Sequence, residues 1–386
     1  MYVRDAEGLR ALVERIRGTE FIVLDTEFMR ERTYYARLCL IQIGTDDLQA
    51  IVDPLAIEDL GPLREVFSDV KTVKVLHAGT QDLEIFYQLW GCVPTPVFDT
   101  QVAATLAGHP TQVGYGQLVN DICGVKLDKS DTFTDWARRP LSGTQIEYAL
   151  NDVRHLPAVY HELRERLEAE GRLAWLKSDF DRMVDPATYE VIPGEQYRRV
   201  KRVSSLKPRQ LGVLKVLAAW REKEAQRRDI PRRWVLGDES LLEIARRAPK
   251  DRAELAAIRG VNDKLGKSLY TAVLDAVAEG LALPEDELPR IVRRRRRPLD
   301  VDGAVDLMGA LVRLRAKEHG VATPLLASRD DLEQLAGGQR EDAALLEGWR
   351  RSIVGDELVD LLEGRLSMRL GDGRIVVEPC EEAGGE

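Results

Sequence analysis

The first hundred residues alternate between helical and extended hydrophobic patterns. Apolar residues recur at the i, i+3, i+4, i+7 spacing between Leu9 and Ile16, which predicts an amphipathic helix. Helices are also predicted at residues 60–67 and 80–89. Short apolar segments predict strands at residues 21–24, 38–43, 48–52, 73–76 and 97–98. Strands and helices that alternate in this way favour an α/β fold with a sheet flanked by helices.

Beyond residue 115 the pattern is almost entirely helical. Helices are predicted at residues 116–123 and 143–167, and we expect the first domain to span residues 1–197. Residues 205–285 contain several helical segments bounded by Pro208, Pro231 and Pro249, which predicts a small all-α domain. A basic linker is predicted at residues 286–299, a second helical domain at 300–372, and an acidic tail at 373–386, frayed from Glu378 to Glu386.

A faint internal repeat relates the two helical domains. When the chain is shifted by 91 residues, Val235, Leu241 and Ile244 align with Leu326, Leu332 and Leu335 without a gap. Chance similarity between amphipathic helices is an equally good explanation at this stage. If the repeat is real, residues 300–372 are a diverged copy of the first helical domain.

Composition and charge narrow the class of protein. The 386 residues are 44% hydrophobic, which excludes a disordered chain, and no apolar run reaches the roughly 20 residues of a membrane helix. The N-terminus lacks the pattern of a secretory signal, and the four scattered cysteines form no C-x-x-C pair. We therefore expect a cytoplasmic protein that binds no membrane and contains free thiols.

The net charge of -9 is unevenly distributed. Residues 1–197 contain 20 Lys and Arg against 32 Asp and Glu, whereas residues 198–297 contain 26 against 14. The basic middle section predicts a contact surface for a polyanion beside a domain rich in carboxylates.

Several carboxylates lie at positions where a catalytic or metal-binding role is plausible from the sequence. Asp25 and Glu27 follow an apolar strand two residues apart, so both side chains project from one face. Such a pair needs a cation to relieve its repulsion, although a strand that simply ends in polar residues explains it as well. Asp82 lies in the first turn of a predicted helix, where it could also serve the helix dipole alone. Tyr148 and Asp152 share a helix face, a spacing that is common on helix surfaces.

Together these motifs resemble the DEDD exonuclease superfamily. The order D-x-E, then D, then Y-x-x-x-D is similar to its tyrosine branch, since Glu147 stands where the histidine branch has its histidine. The segments VLHAGTQDLEIF, LDKSDTFTDWARRPL and IEYALNDVRHL resemble the ribonuclease D family specifically. AAWREKEAQRRDIPRRWVLGDESLLEIARRAP resembles the helicase-and-ribonuclease-D C-terminal (HRDC) domain. The resemblance covers residues 2 to about 375 and is weakest over the second helical domain.

The resemblance implies a ribonuclease H-like α/β exonuclease domain followed by two HRDC-type domains. It implies two divalent ions, Mg²⁺ or Mn²⁺, one held by Asp25, Glu27 and Asp152 and the other by Asp25 and Asp82. Two metal ions activate a water molecule and stabilise the attacking and leaving oxygens of phosphodiester cleavage. Tyr148 is expected to orient the water, because a phenol with a pKa near 10 is a poor base at neutral pH.

Substrate contacts are predicted less directly. Phe28 and Met29 could stack on the terminal bases or pack in the core, and His77 could face the terminal nucleotide. Basic clusters are expected to contact phosphates, or else to form ordinary solvated surface. Trp220 and Trp234 could stack on bases, but tryptophan in a small helical domain is more often part of the core, which is the expectation here. The basic residues singled out in that domain are Arg227, Arg228, Arg232 and Arg233. Arg293 to Arg297 form a further basic run.

The implied function is metal-dependent 3′-to-5′ trimming of tRNA precursors and other small structured RNAs, with release of nucleoside 5′-monophosphates. RNA is the expected partner, and we expect a monomer with no obligate protein partner. The alternatives are a DNA exonuclease, a subunit of a larger RNA-degrading assembly, and a non-catalytic RNA-binding protein on the same fold. Asp25, Glu27, Asp82, Tyr148 and Asp152 are all present, which argues against the last of these.

Overall fold

The computed structural model describes residues 1–127, 134–261, 267–290, 301–340 and 343–380. Its first part is built on a six-stranded mixed sheet with the strand order β1-β4-β3-β2-β5-β6. The strands are β1 (Tyr2–Val3), β2 (Phe21–Met29), β3 (Arg37–Gly44), β4 (Gln49–Val52), β5 (Val73–Leu76) and β6 (Val97–Asp99). The antiparallel partner of β2 is β3, and its parallel partner is β5. Every strand predicted from sequence is therefore present, which confirms the α/β class.

Helices cover both faces of this sheet. They are α1 (Ala6–Ile16), α2 (Gly61–Phe67), α3 (Thr80–Trp90), α4 (Thr100–Leu106), α5 (Tyr115–Cys123), α6 (Gly143–Arg154), α7 (Leu156–Ala169) and α8 (Lys177–Val184). Side chains alternate along β2, so that Ile22 and Leu24 pack in a core with α1 to α3. Phe21 and Val23 pack on the opposite face in a core with α4, α5 and α7. This second face also carries Asp25 and Glu27, which are described below.

The single helix predicted at residues 143–167 is two helices. They meet at His155, and Pro157 follows within the first turn of α7. Proline lacks the backbone N–H that would continue the hydrogen-bond ladder of α6. The interruption allows α6 to cross β2, β3 and β4 while α7 packs along α4 and α5.

Two helical modules follow. The first contains α9 (Pro208–Arg228), α10 (Arg232–Val235), α11 (Asp238–Arg247), α12 (Arg252–Ala256) and α13 (Lys267–Ala282). The second contains α14 (Asp302–Glu318), α15 (Thr323–Leu326), α16 (Arg329–Ala336), α17 (Gly348–Arg350) and α18 (Asp356–Leu362). Both α10 and α15, and both α11 and α16, begin 91 residues apart, and the aligned apolar residues are buried in each module. The structure thus favours a true repeat over chance similarity.

Both modules contact the exonuclease-like part of the chain. The second module shares a hydrophobic core with α7, and the rings of Trp175 and Trp349 stack with centroids 5.0 Å apart. In the first module, Tyr197 and Val200 pack with α9, α11 and α13, so the core of this module includes residues on both sides of the predicted boundary at 197. The division of the chain into domains otherwise stays a prediction.

The first residues of the predicted acidic tail at 373–386 form a strand, and Glu378, where fraying was expected to begin, lies within it. β7 (Leu366–Gly371) and β8 (Arg374–Pro379) form an antiparallel hairpin, because the Asp372-Gly373 turn, with positive φ at both residues, joins two segments of alternating polarity. Residues 381–386 lie outside the described residues, as do residues 291–299 of the predicted basic linker. Among the described helices, none is both long and apolar enough to cross a membrane.

Candidate active site

Strand β2 carries the first two carboxylates of the site. It continues to Met29, so Asp25 and Glu27 lie within the strand and not at its end as predicted. They extend the face that begins with Phe21 and Val23, because side chains two residues apart point the same way. Carboxylate oxygens of Asp25, Glu27 and Asp152 all lie within 4.8 Å of one another. The structure therefore brings together the three residues that were predicted to hold one metal ion.

Helix α6 places Asp152 and Tyr148 next to this face of β2. Its start is defined by a capping box, in which the Ser142 hydroxyl accepts from the Gln145 backbone N–H and the Gln145 side chain accepts from the Ser142 N–H. Tyr148 is half-buried, and its ring lies 5.8 Å from the ring of Trp136. The four-residue spacing places the phenol and the Asp152 carboxylate on one side of the helix.

An ion pair fixes the segment that leads into α6. Arg139 donates to both carboxylate oxygens of the buried Asp53, at 2.6 and 2.7 Å, and to the carbonyl oxygen of Cys39 at 2.9 Å. Tyr2 donates a further hydrogen bond to Asp53 at 2.7 Å. The segment before α6 is thereby tied to β3 and to the end of β4.

Asp82 enters from the other side of β2, in the first turn of α3. Its carboxylate accepts a hydrogen bond from the hydroxyl of Thr26, the residue between Asp25 and Glu27. The start of α3 approaches β5 closely, since a Cβ on Gly79 would lie 2.6 Å from Leu76. The Gly79 N–H donates to Asp99 at 2.8 Å, which holds this turn against β6. Asp82 is close enough to raise the pKa of both Asp25 and Glu27.

The four carboxylates have abnormal acidities. Burial raises the pKa of Glu27 to about 8, that of Asp152 to about 7 and that of Asp82 to about 6. Burial, reinforced by the charge of Asp152, raises the pKa of Asp25 well above its ordinary value. Four clustered carboxyl groups can all ionise near neutral pH only if a cation compensates their charge. Their oxygen donors suit hard divalent ions such as Mg²⁺ and Mn²⁺, so the residues present fit the predicted metal site.

Sequence reasoning missed two polar residues beside this cluster. Thr26 orients Asp82 as described, and Gln42 lies directly opposite Asp25 on β3, on the same face of the sheet. Gln42 is fully buried, and its side-chain amide has no hydrogen-bond partner within the described residues. A glutamine in the otherwise apolar run from Leu38 to Ile43 was the available signal.

The residues predicted to contact the terminal nucleotides lie in different environments. Phe28 and Met29 are half-buried just beyond Glu27, and Met29 packs against the core that includes Trp136. Both ring nitrogens of His77 are engaged in the fold, with Thr100 Oγ1 at 2.9 Å and the Val113 carbonyl oxygen at 3.1 Å. Burial also lowers the pKa of His77, which favours the neutral ring. A contact between a His77 ring nitrogen and the terminal nucleotide is therefore not supported.

The predicted arginines of the first helical module are divided between two places. Arg227 and Arg228 both pair with Glu224 on α9. Arg232 and Arg233 instead line a cleft between this module and the segment that follows β2. Trp234 lines the same cleft and is 45% exposed, so the prediction that it packs in the core is wrong. The run Arg293 to Arg297 lies outside the described residues.

Two family models match the chain. The model described as 3′-5′ exonuclease matches residues 1–168, and the model described as HRDC domain matches residues 210–277. The first range contains all five predicted catalytic residues. The second corresponds to the first helical module, while an HRDC-type identity for the second module stays a prediction.

Relatives and solved structures agree with these matches over nearly the whole chain. Ribonuclease D of Gluconacetobacter diazotrophicus is 46% identical over 97% of this chain and 95% of its own length. Ribonuclease D of Sphingobium indicum is 43% identical, with 97% of each chain covered. The crystal structure of Escherichia coli RNase D, an exoribonuclease involved in structured RNA processing, matches with a TM-score of 0.83 and 33% identity over 94% of this chain and 98% of that one. This chain therefore belongs to the ribonuclease D family of 3′-5′ exoribonucleases.

Proposed function

We propose that this exoribonuclease trims the 3′ ends of tRNA precursors and other small structured RNAs and releases nucleoside 5′-monophosphates. The observation that carries the proposal is the partly buried cluster of Asp25, Glu27 and Asp152 beside Tyr148, in a chain of the ribonuclease D family. The E. coli relative, which is involved in structured RNA processing, supports the substrate class. We further propose that the protein acts as a cytoplasmic monomer without an obligate protein partner.

In this proposal Asp25, Glu27 and Asp152 hold one divalent ion, and Asp25 and Asp82 hold a second, with Mg²⁺ or Mn²⁺ as the ion. Two such ions supply Lewis acidity that lowers the pKa of water and neutralises charge on the phosphate. Asp25 contributes to both sites, so it is the least replaceable of the four. The Thr26 hydroxyl fixes the orientation of Asp82, which keeps the second carboxylate pair aligned.

Tyr148 positions the attacking water in this proposal. Its place on α6, one turn before Asp152, allows the hydroxyl and the carboxylate to reach the same point. The hydroxyl serves as a hydrogen-bonding group that orients the water, and not as a bulk base. Trp136 packs against the ring and restricts its rotamers.

Product analysis tests this function. A tRNA precursor with a 3′ extension, labelled at its 5′ end, is incubated with the protein and Mg²⁺ or Mn²⁺. The proposal predicts a ladder that shortens one nucleotide at a time and nucleoside 5′-monophosphates as the released products. A parallel single-stranded DNA of the same sequence should be degraded much more slowly. Preference for the DNA, or internal cuts in the RNA, would contradict the proposal.

A further inference from the structure

A positively charged cleft lies where the first helical module meets the exonuclease part of the chain. It has a volume of about 790 Å³. One wall is the segment that follows β2, with Arg30 and Arg32, and the opposite wall is formed by Arg199 and by Arg232 to Trp234. Six arginines line the cleft, against the two carboxylates of Glu31 and Asp238. The cleft is separate from the carboxylate cluster.

The two walls are joined by a buried polar network. The Tyr34 hydroxyl donates to Glu222, a fully buried residue of α9, which also pairs with Arg232 at 2.8 Å. The backbone N–H groups of Tyr34 and Tyr35 both donate to Asp229 at 3.0 Å. These contacts hold the arginines of both walls around a preformed space.

The charges in the cleft are only partly compensated. Arg30 pairs with Glu84, Arg221 with Asp238 and Arg232 with Glu222. Arg32 and Arg199 are exposed, and neither forms an ion pair anywhere in the described part of the chain. Trp234 adds an exposed ring to the same surface. Unpaired guanidinium groups beside an exposed aromatic ring are the combination that binds single-stranded nucleic acid, by phosphate contacts and base stacking.

The cleft lies close to the candidate active site, to which β2 and α3 connect it. Arg30 lies three residues beyond Glu27, which corresponds to about 10 Å of extended strand. It also forms a bidentate pair with Glu84, at 2.7 and 2.8 Å, on the helix that begins with Asp82. A stacked strand advances about 3.4 Å per nucleotide, so a strand whose 3′ end lies at the carboxylates needs at least about three more nucleotides to enter the cleft.

We propose that this cleft is a second RNA subsite, which holds the single-stranded segment a few nucleotides upstream of the 3′ end. Arg32 and Arg199 contact its phosphates, and Trp234 stacks on one base. The inference rests on the proposed function, because it assumes that the 3′ end of the same strand lies at the carboxylate cluster. In this proposal the cleft favours substrates whose unpaired 3′ segment is long enough to span both sites.

The test compares substrates that can and cannot span both sites. The ratio of kcat/KM for a twelve-nucleotide single-stranded RNA to that for a dinucleotide is measured for the wild type and for Arg32→Ala/Arg199→Ala. For single strands, each phosphate contact contributes a salt slope of about 0.7, which corresponds to roughly fivefold in affinity at 0.1 M salt. We expect the ratio to fall roughly 25-fold in the double variant. Trp234→Ala should lower the ratio at least about fivefold, and Trp234→Phe should largely restore it.

Matched variants separate this subsite from general effects of charge or folding. Arg10→Ala/Arg64→Ala removes two exposed arginines from α1 and α2, which do not line the cleft, and should leave the ratio unchanged. Arg32→Lys/Arg199→Lys keeps the charge and should retain most of the salt dependence of binding. An unchanged ratio in the alanine double variant, or an equal fall in the Arg10/Arg64 variant, would overturn the subsite. If the wild type degrades neither RNA, the proposed function itself fails, a result distinct from an unchanged ratio.

Discussion

Replacing Glu27 with glutamine should stabilise the metal-free protein at alkaline pH. Burial next to Asp152 and Asp82 raises the pKa of Glu27 from 4.5 to about 8. The folded state therefore binds this proton more tightly than the unfolded state does, and the resulting stability is lost as the pH rises from about 4.5 to about 8. This raised pKa lowers the free energy of unfolding by at most about 5 kcal/mol at pH 9. The value is an upper bound because neighbouring carboxylates share protons with Glu27. Glutamine has no charge to desolvate, so Glu27→Gln avoids this loss.

The free energy of unfolding is measured by urea denaturation in the presence of a chelator, at pH 5.5 and at pH 9. We expect Glu27→Gln to be the more stable protein at pH 9, and its advantage to fall to about 1.4 kcal/mol or less at pH 5.5, which is only slightly above the ordinary pKa of 4.5. Saturating Mn²⁺ should reverse the order at pH 9, because the wild type keeps all its ligands. Glu58→Gln, an exposed change on the same part of the chain, should alter neither value. If Glu27→Gln destabilises the metal-free protein equally at both pH values, the electrostatic account of the cluster is refuted.

Three further predictions concern Tyr148, the ion pair of Arg139 near the site, and Tyr34 in the network of the cleft. Tyr148→Phe should lower kcat about 100-fold with little change in KM, because the attacking water loses a group that positions it. Steady-state kinetics measures both constants, and a rise in KM at unchanged kcat would contradict this role. Arg139→Ala should cost about 3 to 5 kcal/mol in urea unfolding because it leaves Asp53 charged and buried, whereas an effect below 1 kcal/mol would refute this role. Tyr34→Phe should cost about 1.5 to 3 kcal/mol because it removes a hydrogen bond to the buried Glu222, and Tyr35→Phe, at an exposed ring, serves as its control.

Much of the fold could be predicted from local patterns. The strands from Phe21 to Asp99 and helix α3 begin where the hydrophobic period changes, so their positions follow from sequence alone. The break between α6 and α7 was missed because the apolar period continues across His155, and only Pro157 signals it. The C-terminal hairpin was missed because the acidic composition of the tail was given more weight than its alternating pattern and the Asp372-Gly373 turn.

The residues of the candidate site that belong to short sequence motifs could be predicted. Asp25, Glu27 and Asp152 stand out as carboxylates on apolar elements, and the structure brings them together. The sequence signalled Gln42 as a polar residue in an apolar run, but its place opposite Asp25 depends on strand register and could not be predicted. The cleft lined by Arg32 could not be predicted either, because it depends on contacts between residues nearly 200 positions apart. The exposure of Trp234 likewise depends on how the two parts of the chain meet, which a local pattern does not specify.

The most direct test of the central claim is the single-turnover degradation of a 5′-labelled tRNA precursor by the wild type and by Asp25→Asn. Asp25 is the carboxylate shared by both proposed metal sites, and asparagine keeps its shape while removing its charge. The account predicts stepwise shortening from the 3′ end by the wild type with Mg²⁺ or Mn²⁺. It predicts no shortening with chelator, and a rate at least about 1000-fold lower for the variant, which corresponds to about 4 kcal/mol. Shortening that persists in Asp25→Asn, or that continues without divalent metal, would contradict it.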